Sequence, residues 1–368
     1  MLAGTCTGMP NSCAVALLMI RYIGAWVIPD LIVPTTWPAI HPDRSPRLRK
    51  DGGTAAGRSR TVAGNRRVAA VRSRWTQRVM AMPVDLGRTG IWCSCRIWPQ
   101  DAREAADSAA ELEELGYQAL WLGMSPAGDL EQPGALLAAT SRLAVATGIV
   151  SVWDAPAAVV AAGYQRISAA HPGRFLLGLG ASHAHVVERR GGRYAHPYRT
   201  VAGFLDELDG AVPPVPTAGR VLAALGPRMV ALAGSRSTGA HPYLVTPGHT
   251  RWAREILGDG PLLAPEQMAI LETDPARARE IARGALHIYL QAPNYITNLR
   301  RMGFTGDDIG EASHRLVDAL VAWGDEEAVA RRVAEHHAAG ADHVCVQVLT
   351  GEPALPRAEW RALAAALT

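Results

Sequence analysis

Residues 174–183 read RFLLGLGASH, and this stretch decides the fold. From Phe175 to Leu179 the run is apolar without alternation. A strand with one wet face would alternate, so an unbroken run marks a strand covered on both faces, as in a parallel sheet flanked by helices. His171-Pro172-Gly173 precedes it, where Pro and Gly both break a helix. Behind that breaker, Pro156–Ala170 is an Ala-rich segment with helical character. Helix, breaker, buried strand and small-residue strand end together form half of a βαβ unit.

The same texture extends in both directions from about residue 86. Upstream, the reading gives strand Thr89–Cys93, helix Asp101–Leu115 closed by Gly116, strand Ala119–Gly123, a short helix near Gly134–Ser141 and strand Leu143–Ile149. Downstream it gives strands Arg174–Leu179, Val221–Leu225, Gly239–Val245, Leu262–Leu271 and His343–Leu349. Helical segments are expected at Pro275–Leu290 and Gly324–Ala339. Residues 184–219, rich in Gly and Pro, read as a long loop suited to a lid or a subunit contact. Eight strand–helix units between Met82 and Thr368 predict an α/β fold of the (β/α)8 TIM-barrel type. A doubly wound sheet is the alternative, but no GxGxxG opens a first βαβ unit.

Composition divides the chain. Nearly half its residues are apolar (48%) and 19% are charged, as in globular proteins. The formal net charge is +3, yet residues 1–81 carry twelve Arg or Lys against Asp30, Asp43 and Asp51. That segment is therefore +9 and the remainder −6, which leaves the folded part without an electrostatic footprint for nucleic acid. Residues 14–33 are apolar but broken by Arg21, Pro29 and Asp30, a poor membrane span. Residues 42–78 lack periodicity and are expected to be disordered. The segment 1–81 thus reads as a disordered extension or as sequence upstream of a true start at Met80 or Met82, with an export or membrane segment as the third reading. Residues 82–368 form the barrel domain. The five cysteines form no CxxC pair or zinc spacing, so no metal is expected, and a reducing cytoplasm is the expected location.

In a barrel the chemistry lies at the C-terminal ends of the strands. There the sequence offers Trp92, Gly123-Met124-Ser125, Gly148 through Trp153, Gly180 through His183, Gly226-Pro227-Arg228 and His241-Pro242-Tyr243. Glycines, tryptophans and small polar residues dominate, and acidic residues are nearly absent. Paired carboxylates, metal clusters and a GxSxG elbow are missing from this set. Such a rim suits a planar, uncharged ring held against backbone and aromatic groups.

Four segments carry a resemblance: RFLLGLGASH (174–183), ATGIVSVWDAPAAVVAA (146–162), GAHPYLVTPGHT (239–250) and ALGPRM (224–229). In this order they resemble the luciferase-like monooxygenase superfamily, and within it the actinobacterial branch of F420-dependent oxidoreductases. The resemblance implies coenzyme F420, with FMN as the alternative, and a small-molecule substrate. It also implies a homodimer without nucleic-acid or membrane partners. By position, Gly148, Ile149, Val150 and Ser151 fall on the family's strand bulge, often with a non-prolyl cis peptide, that supports the ring. Gly180 and Ser182 fall where the cofactor side chain is contacted, and Gly226, Pro227 and Arg228 where phosphate is held at a helix start. His183, His241 and Trp92 are the catalytic candidates: the histidines for proton transfer, the tryptophan for stacking on substrate. The family's His/Trp/Glu constellation is not reproduced, since no Glu stands at the third strand's end and Asp154 is the nearest acid. Hydride transfer between the deazaflavin C5 and an organic substrate is the implied reaction. An FMN monooxygenase and a non-catalytic flavin-binding barrel are the rivals.

Overall fold

The computed structural model describes residues 84–368, and the expectations for 1–81 fall outside them. The first strands and helices are β1 (Thr89–Ser94), α1 (Ala102–Glu114), β2 (Ala119–Gly123), α2 (Glu131–Ala138), β3 (Ala144–Gly148), β4 (Val150–Ser151), α3 (Ala157–Ala170) and β5 (Phe175–Gly180). Two helices follow, α4 (Ala184–Arg189) and α5 (Pro197–Gly210), then β6 (Arg220–Ala223), α6 (Pro227–Arg236), β7 (Gly239–His241) and α7 (Pro247–Leu257). The last part runs β8 (Leu262–Leu263), β9 (Glu266–Leu271), α8 (Pro275–Leu286), α9 (Pro293–Arg301), α10 (Gly306–Gly310), α11 (His314–Leu320), β10 (Val321–Gly324), α12 (Glu326–Ala338), β11 (Val344–Val348) and α13 (Arg357–Leu367).

All strand pairs are parallel, in the order β10-β9-β11-β1-β2-β3-β5-β6-β7-β8, with β4 alongside β5. The sheet curls. β8 pairs with β7, while β9, only two residues further on, pairs with β11 and β10. Backbone bonds from Glu266 N to Pro242 O (2.9 Å) and from Cys345 N to Pro265 O (3.1 Å) tie this stretch to both neighbours.

Side chains alternate across each strand. One set faces the helices, where Leu120, Leu122, Val145, Leu177, Leu179 and Leu222 pack under them. The other set meets on the concave side: Trp92, Trp121, Ala144, Ala146, Leu176, Val221, Ala264 and Cys345. Two indoles fill the space that alanines on β3 leave, a large-against-small arrangement that keeps this core dense. A third cluster lies beneath α8, α9 and α11, which carry Leu286, Leu299 and Leu316 onto Met268 and Ile270 of β9.

Local signals set the helix starts. Asp101, Asp274 and Asp325 each accept a backbone N–H from the first turn, and Thr305 completes a capping box with Asp308. Pro stands in the first turn of α5, α6, α7, α8 and α9, where its missing N–H costs nothing.

Several expected boundaries shift. The region 184–219 is no long loop: α5 buries Val201, Phe204, Leu205 and Leu208 against the core. The single strand Leu262–Leu271 is two strands, interrupted at Ala264-Pro265, where proline has no N–H to give the ladder. The helix expected over Pro275–Leu290 ends at Leu286, and Gly324 closes a strand instead of opening a helix. Among the described residues no helix is long and apolar enough to cross a membrane.

Candidate active site

Strand β3 ends at Gly148 and the chain resumes as β4 at Val150, with Ile149 between them. The Gly148–Ile149 peptide is cis, so the interruption expected at 148–151 is present. Val150 and Ser151 pair with Leu179 and Gly180 of β5. Both are buried, so of the four residues only Gly148 and Ile149 show partial exposure.

Gly148 is surrounded on the concave side. A Cβ placed on it would lie 2.8 Å from Trp92 Nε1 and 3.1 Å from His241 Nε2. Two heteroatoms from β1 and β7 therefore converge on one point beside β3. Trp92 is 3% exposed, His241 is 2% exposed, and neither ring nitrogen has a hydrogen-bond partner. Gly123 is equally necessary, because its Cβ would fall 1.8 Å from the Trp92 ring. Gly180 faces Ile149 and Ala223, each about 2.9 Å from its absent Cβ.

The protonation state of His241 follows from its contacts. Nδ1 donates to Ala264 O at 2.7 Å, so Nε2 carries the lone pair. Trp121 stacks on the ring at 4.2 Å. Burial pushes the pKa down to about 4, which keeps the imidazole neutral at ordinary pH. An unpaired donor, Trp92 Nε1–H, thus sits beside an unpaired acceptor, His241 Nε2. Trp121 donates in turn to His343 Nε2 at 3.0 Å, and His343 Nδ1 bonds Gly87 O at 2.9 Å. This fixes the floor under His241.

A phenolic wall rises next to the pair. Tyr243 lies 5.4 Å from Trp92, ring to ring. Its hydroxyl donates to Gln347 Oε1 at 2.8 Å and lies 2.9 Å from the Tyr289 hydroxyl. Tyr295 of α9 adds to it, edge-on to Tyr289 at 5.5 Å. At the start of β9, Glu266 is 1% exposed. Its Oε2 accepts weakly from Leu244 N at 3.4 Å and its Oε1 has no partner. Desolvation pushes its pKa up to about 8, so the carboxyl is protonated at neutral pH. Its charge, when formed, bears on both Tyr243 and Tyr295.

The remaining candidates lie further round the rim. His183 follows β5, half-buried, with Nδ1 3.1 Å from Asn294 Oδ1 and its ring 5.1 Å from Tyr295. Burial holds its pKa below the usual value. Ser182 has a left-handed backbone (φ 55°), as do Met124 and Ser125 after β2 and Leu244 after β7. Non-glycine residues of this kind cluster at functional sites more than elsewhere. Gly226 caps α6 without a side-chain bond, and Pro227 opens it. Arg228 is exposed, its guanidinium 4.5 Å over the Tyr198 ring. Trp92, His241 and Gly148 therefore come together, whereas His183 and the α6 start stand at separate places on the rim. Of the strand-end cysteines, Cys93 is buried with its thiol pushed up, and Cys95 is pushed up to about 11, so neither is a reactive thiolate. Among the described residues no three His, Cys, Asp or Glu side chains are grouped to hold a metal.

Residues 84–343 match the sequence profile of the luciferase-like monooxygenases. The chain belongs to this family. No curated protein matches it in sequence. Among solved structures, an F420-dependent secondary alcohol dehydrogenase bound to an F420–acetone adduct is similar, with 16% identity, a TM-score of 0.58, and coverage of 77% of this chain and 98% of that one. The F420-dependent tetrahydromethanopterin reductase of Methanopyrus kandleri is 15% identical, with a TM-score of 0.58 over 76% of this chain and 97% of its own. The oxygenating constituent of the 3,6-diketocamphane monooxygenase of Pseudomonas putida, in complex with FMN, is 14% identical, with a TM-score of 0.56 over 77% and 97%. At such identities the likeness speaks for the fold alone.

Proposed function

We propose that the chain is an oxidoreductase that binds coenzyme F420 across the strand ends and moves a hydride between it and a small organic substrate. The observation that carries this reading is the convergence of Trp92 Nε1 and His241 Nε2, both buried and unpartnered, on Gly148 at the strand interruption. We read the stretch Leu262–Leu271, bonded to β7 and to β11, as closing the sheet into a (β/α)8 barrel whose mouth is this site.

The residues fit a planar ring. Gly148 and Gly180 leave room that a Cβ would fill, Ile149 offers an apolar edge between them, and Ser182 turns the chain beyond β5. When bound, the deazaflavin supplies a carbon that takes or gives a hydride. The protein's part is orientation and proton handling. Trp92 Nε1–H donates to the substrate oxygen, and the neutral His241 Nε2 takes its proton when a hydroxyl is oxidised; when a carbonyl is reduced, Nε2 first takes a proton from water and then passes it to the substrate oxygen. Trp121 and the Ala264 carbonyl hold the imidazole in the tautomer that this requires. Tyr243 and Tyr289 form an apolar-faced wall that limits water. His183 and the α6 start hold the cofactor's polar chain.

Anaerobic mixing with oxidised F420 and a panel of primary, secondary and cyclic alcohols tests the reading. Bleaching of the deazaflavin chromophore without oxygen is expected. Turnover that needs FMN and consumes oxygen would instead support a flavin monooxygenase, the second reading, favoured by the fold shared with an FMN-bound monooxygenase.

A further inference from the structure

Gln347 stands on β11 beside Trp92 on β1. The register aligns Ile91 with Val346, so the residues that follow them, Trp92 and Gln347, are neighbours too. Trp92 and Cys345 belong to the concave cluster, and Gln347, two residues beyond Cys345, turns to the same side. Its Oε1 accepts from the Tyr243 hydroxyl at 2.8 Å, and the Tyr243 ring lies 5.4 Å from Trp92. Tyr243 has one hydroxyl proton to give, so the Tyr289 hydroxyl, 2.9 Å away, donates to Tyr243 and holds it in place. A carboxamide is planar, and fixing its oxygen fixes the direction of its NH2 group. Gln347 Nε2 has no hydrogen-bond partner among the described residues, yet on this half-buried side chain it is not sealed from solvent as Trp92 Nε1 is. It is therefore an oriented donor, open at the strand ends, next to the unpaired Trp92 Nε1–H. The groups that bear on Tyr295 are Tyr289 and Glu266, neither of them a cation. An anion brought against this wall would lose its hydration without gaining a partner.

We infer that Gln347 selects the substrate: its amide binds a second oxygen of a molecule whose reacting oxygen lies at Trp92 and His241. The substrate class is then an uncharged alcohol or ketone that carries another hydroxyl, carbonyl or ether oxygen on a nearby carbon. Neighbouring strands stand about 4.8 Å apart, so the two donors reach one small molecule together. This rests on the reading of these strand ends as the substrate pocket, and is independent of which cofactor lies beside it.

Matched probes test it: acetoin against butanone, and benzoin against deoxybenzoin, each pair differing by one hydroxyl beside the carbonyl. Affinities are read by ligand-observed NMR on the full chain, alone and with F420 or FMN added, for the wild type, Gln347→Leu and Gln347→Glu. Gln347→Glu keeps the shape and the oxygen that Tyr243 needs but removes the donor. The wild type should favour the hydroxyketone of a pair about three- to tenfold, the worth of one neutral hydrogen bond. Both variants should bring that ratio to about one and leave the affinity for butanone and deoxybenzoin unchanged. Tyr243→Phe, which releases the amide, should give an intermediate ratio. The same ratio in the wild type and both Gln347 variants overturns the inference, as does binding of no probe. Weakened cofactor affinity with an unchanged ratio also overturns it, placing the amide on the cofactor ring. Tighter binding of pyruvate than of acetoin overturns the uncharged class. A preference that Gln347 controls, in a protein that transfers no hydride with F420, refutes the function proposed above and leaves this assignment standing.

Discussion

Replacing Glu266 by Gln isolates a fully buried carboxyl with one oxygen unpaired. Its folded pKa is raised to about 8 from an ordinary 4.5. Below pH 4.5 the carboxyl is protonated in both states and contributes no pH-dependent penalty. As pH rises past 4.5 the unfolded chain releases the proton and the folded chain keeps it, so stability falls until the folded group ionises near 8. The slope is about 1.36 kcal/mol per pH unit, and the two and a half units up to pH 7 amount to roughly 3 kcal/mol. Gln has nearly the same shape and cannot ionise, so the variant lacks this slope. Urea denaturation of both proteins from pH 5 to 8.5, compared at each pH, gives the difference free of other titrating groups. Glu266→Gln should gain on the wild type as pH rises and melt about 6 °C higher at pH 7, at about 2 °C per kcal/mol for a domain of this size. A stability difference that stays flat across this range would show that Glu266 is solvated or ionised in the folded protein, and the site's electrostatics would need revision.

Other outcomes follow from the same geometry. Gly148→Ala puts a methyl against Trp92 and His241 and should cost about 1–3 kcal/mol in stability and abolish cofactor binding, read by thermal melting and fluorescence titration. His241→Phe keeps the stack on Trp121 and should lower turnover about 10²–10⁴-fold with cofactor affinity retained; a loss of affinity alone would place His241 against the cofactor and not the substrate. His241, His343 and His336 have pKa values lowered to about 4, 4 and 3, so they stabilise the fold above pH 6.5 and that contribution is lost as pH falls below it; acid melts should show a steep limb that His336→Gln reduces.

Much of this was legible in the chain. FLLGLG required a strand covered on both faces, and β5 is buried along its whole length. The rim positions of Trp92 and His241 could be read because barrel chemistry has a fixed place along each strand, and the interruption at Gly148–Ser151 was implied by the family resemblance. What escaped the reading was mostly non-local. Glu266, Tyr289 and Tyr295 meet Tyr243 only through the curl of the sheet and the seating of α9, and nothing in their own neighbourhoods says so. Two misses had local signals. Val201, Phe204, Leu205 and Leu208 stand at helical spacing in a stretch read as loop because of its Gly and Pro. Pro265 stood in plain view inside a stretch read as one strand. β10, four residues between two helices, is too short for any period to show.

We propose that the strand ends around Gly148, Trp92 and His241 hold a deazaflavin. Titrating the full chain with F420 and separately with FMN, following protein and cofactor fluorescence, tests it most directly. Saturable binding of F420, tighter than FMN and lost in Gly148→Ala, is the predicted result. Preference for FMN would contradict the cofactor assignment, and saturation by neither would contradict the site.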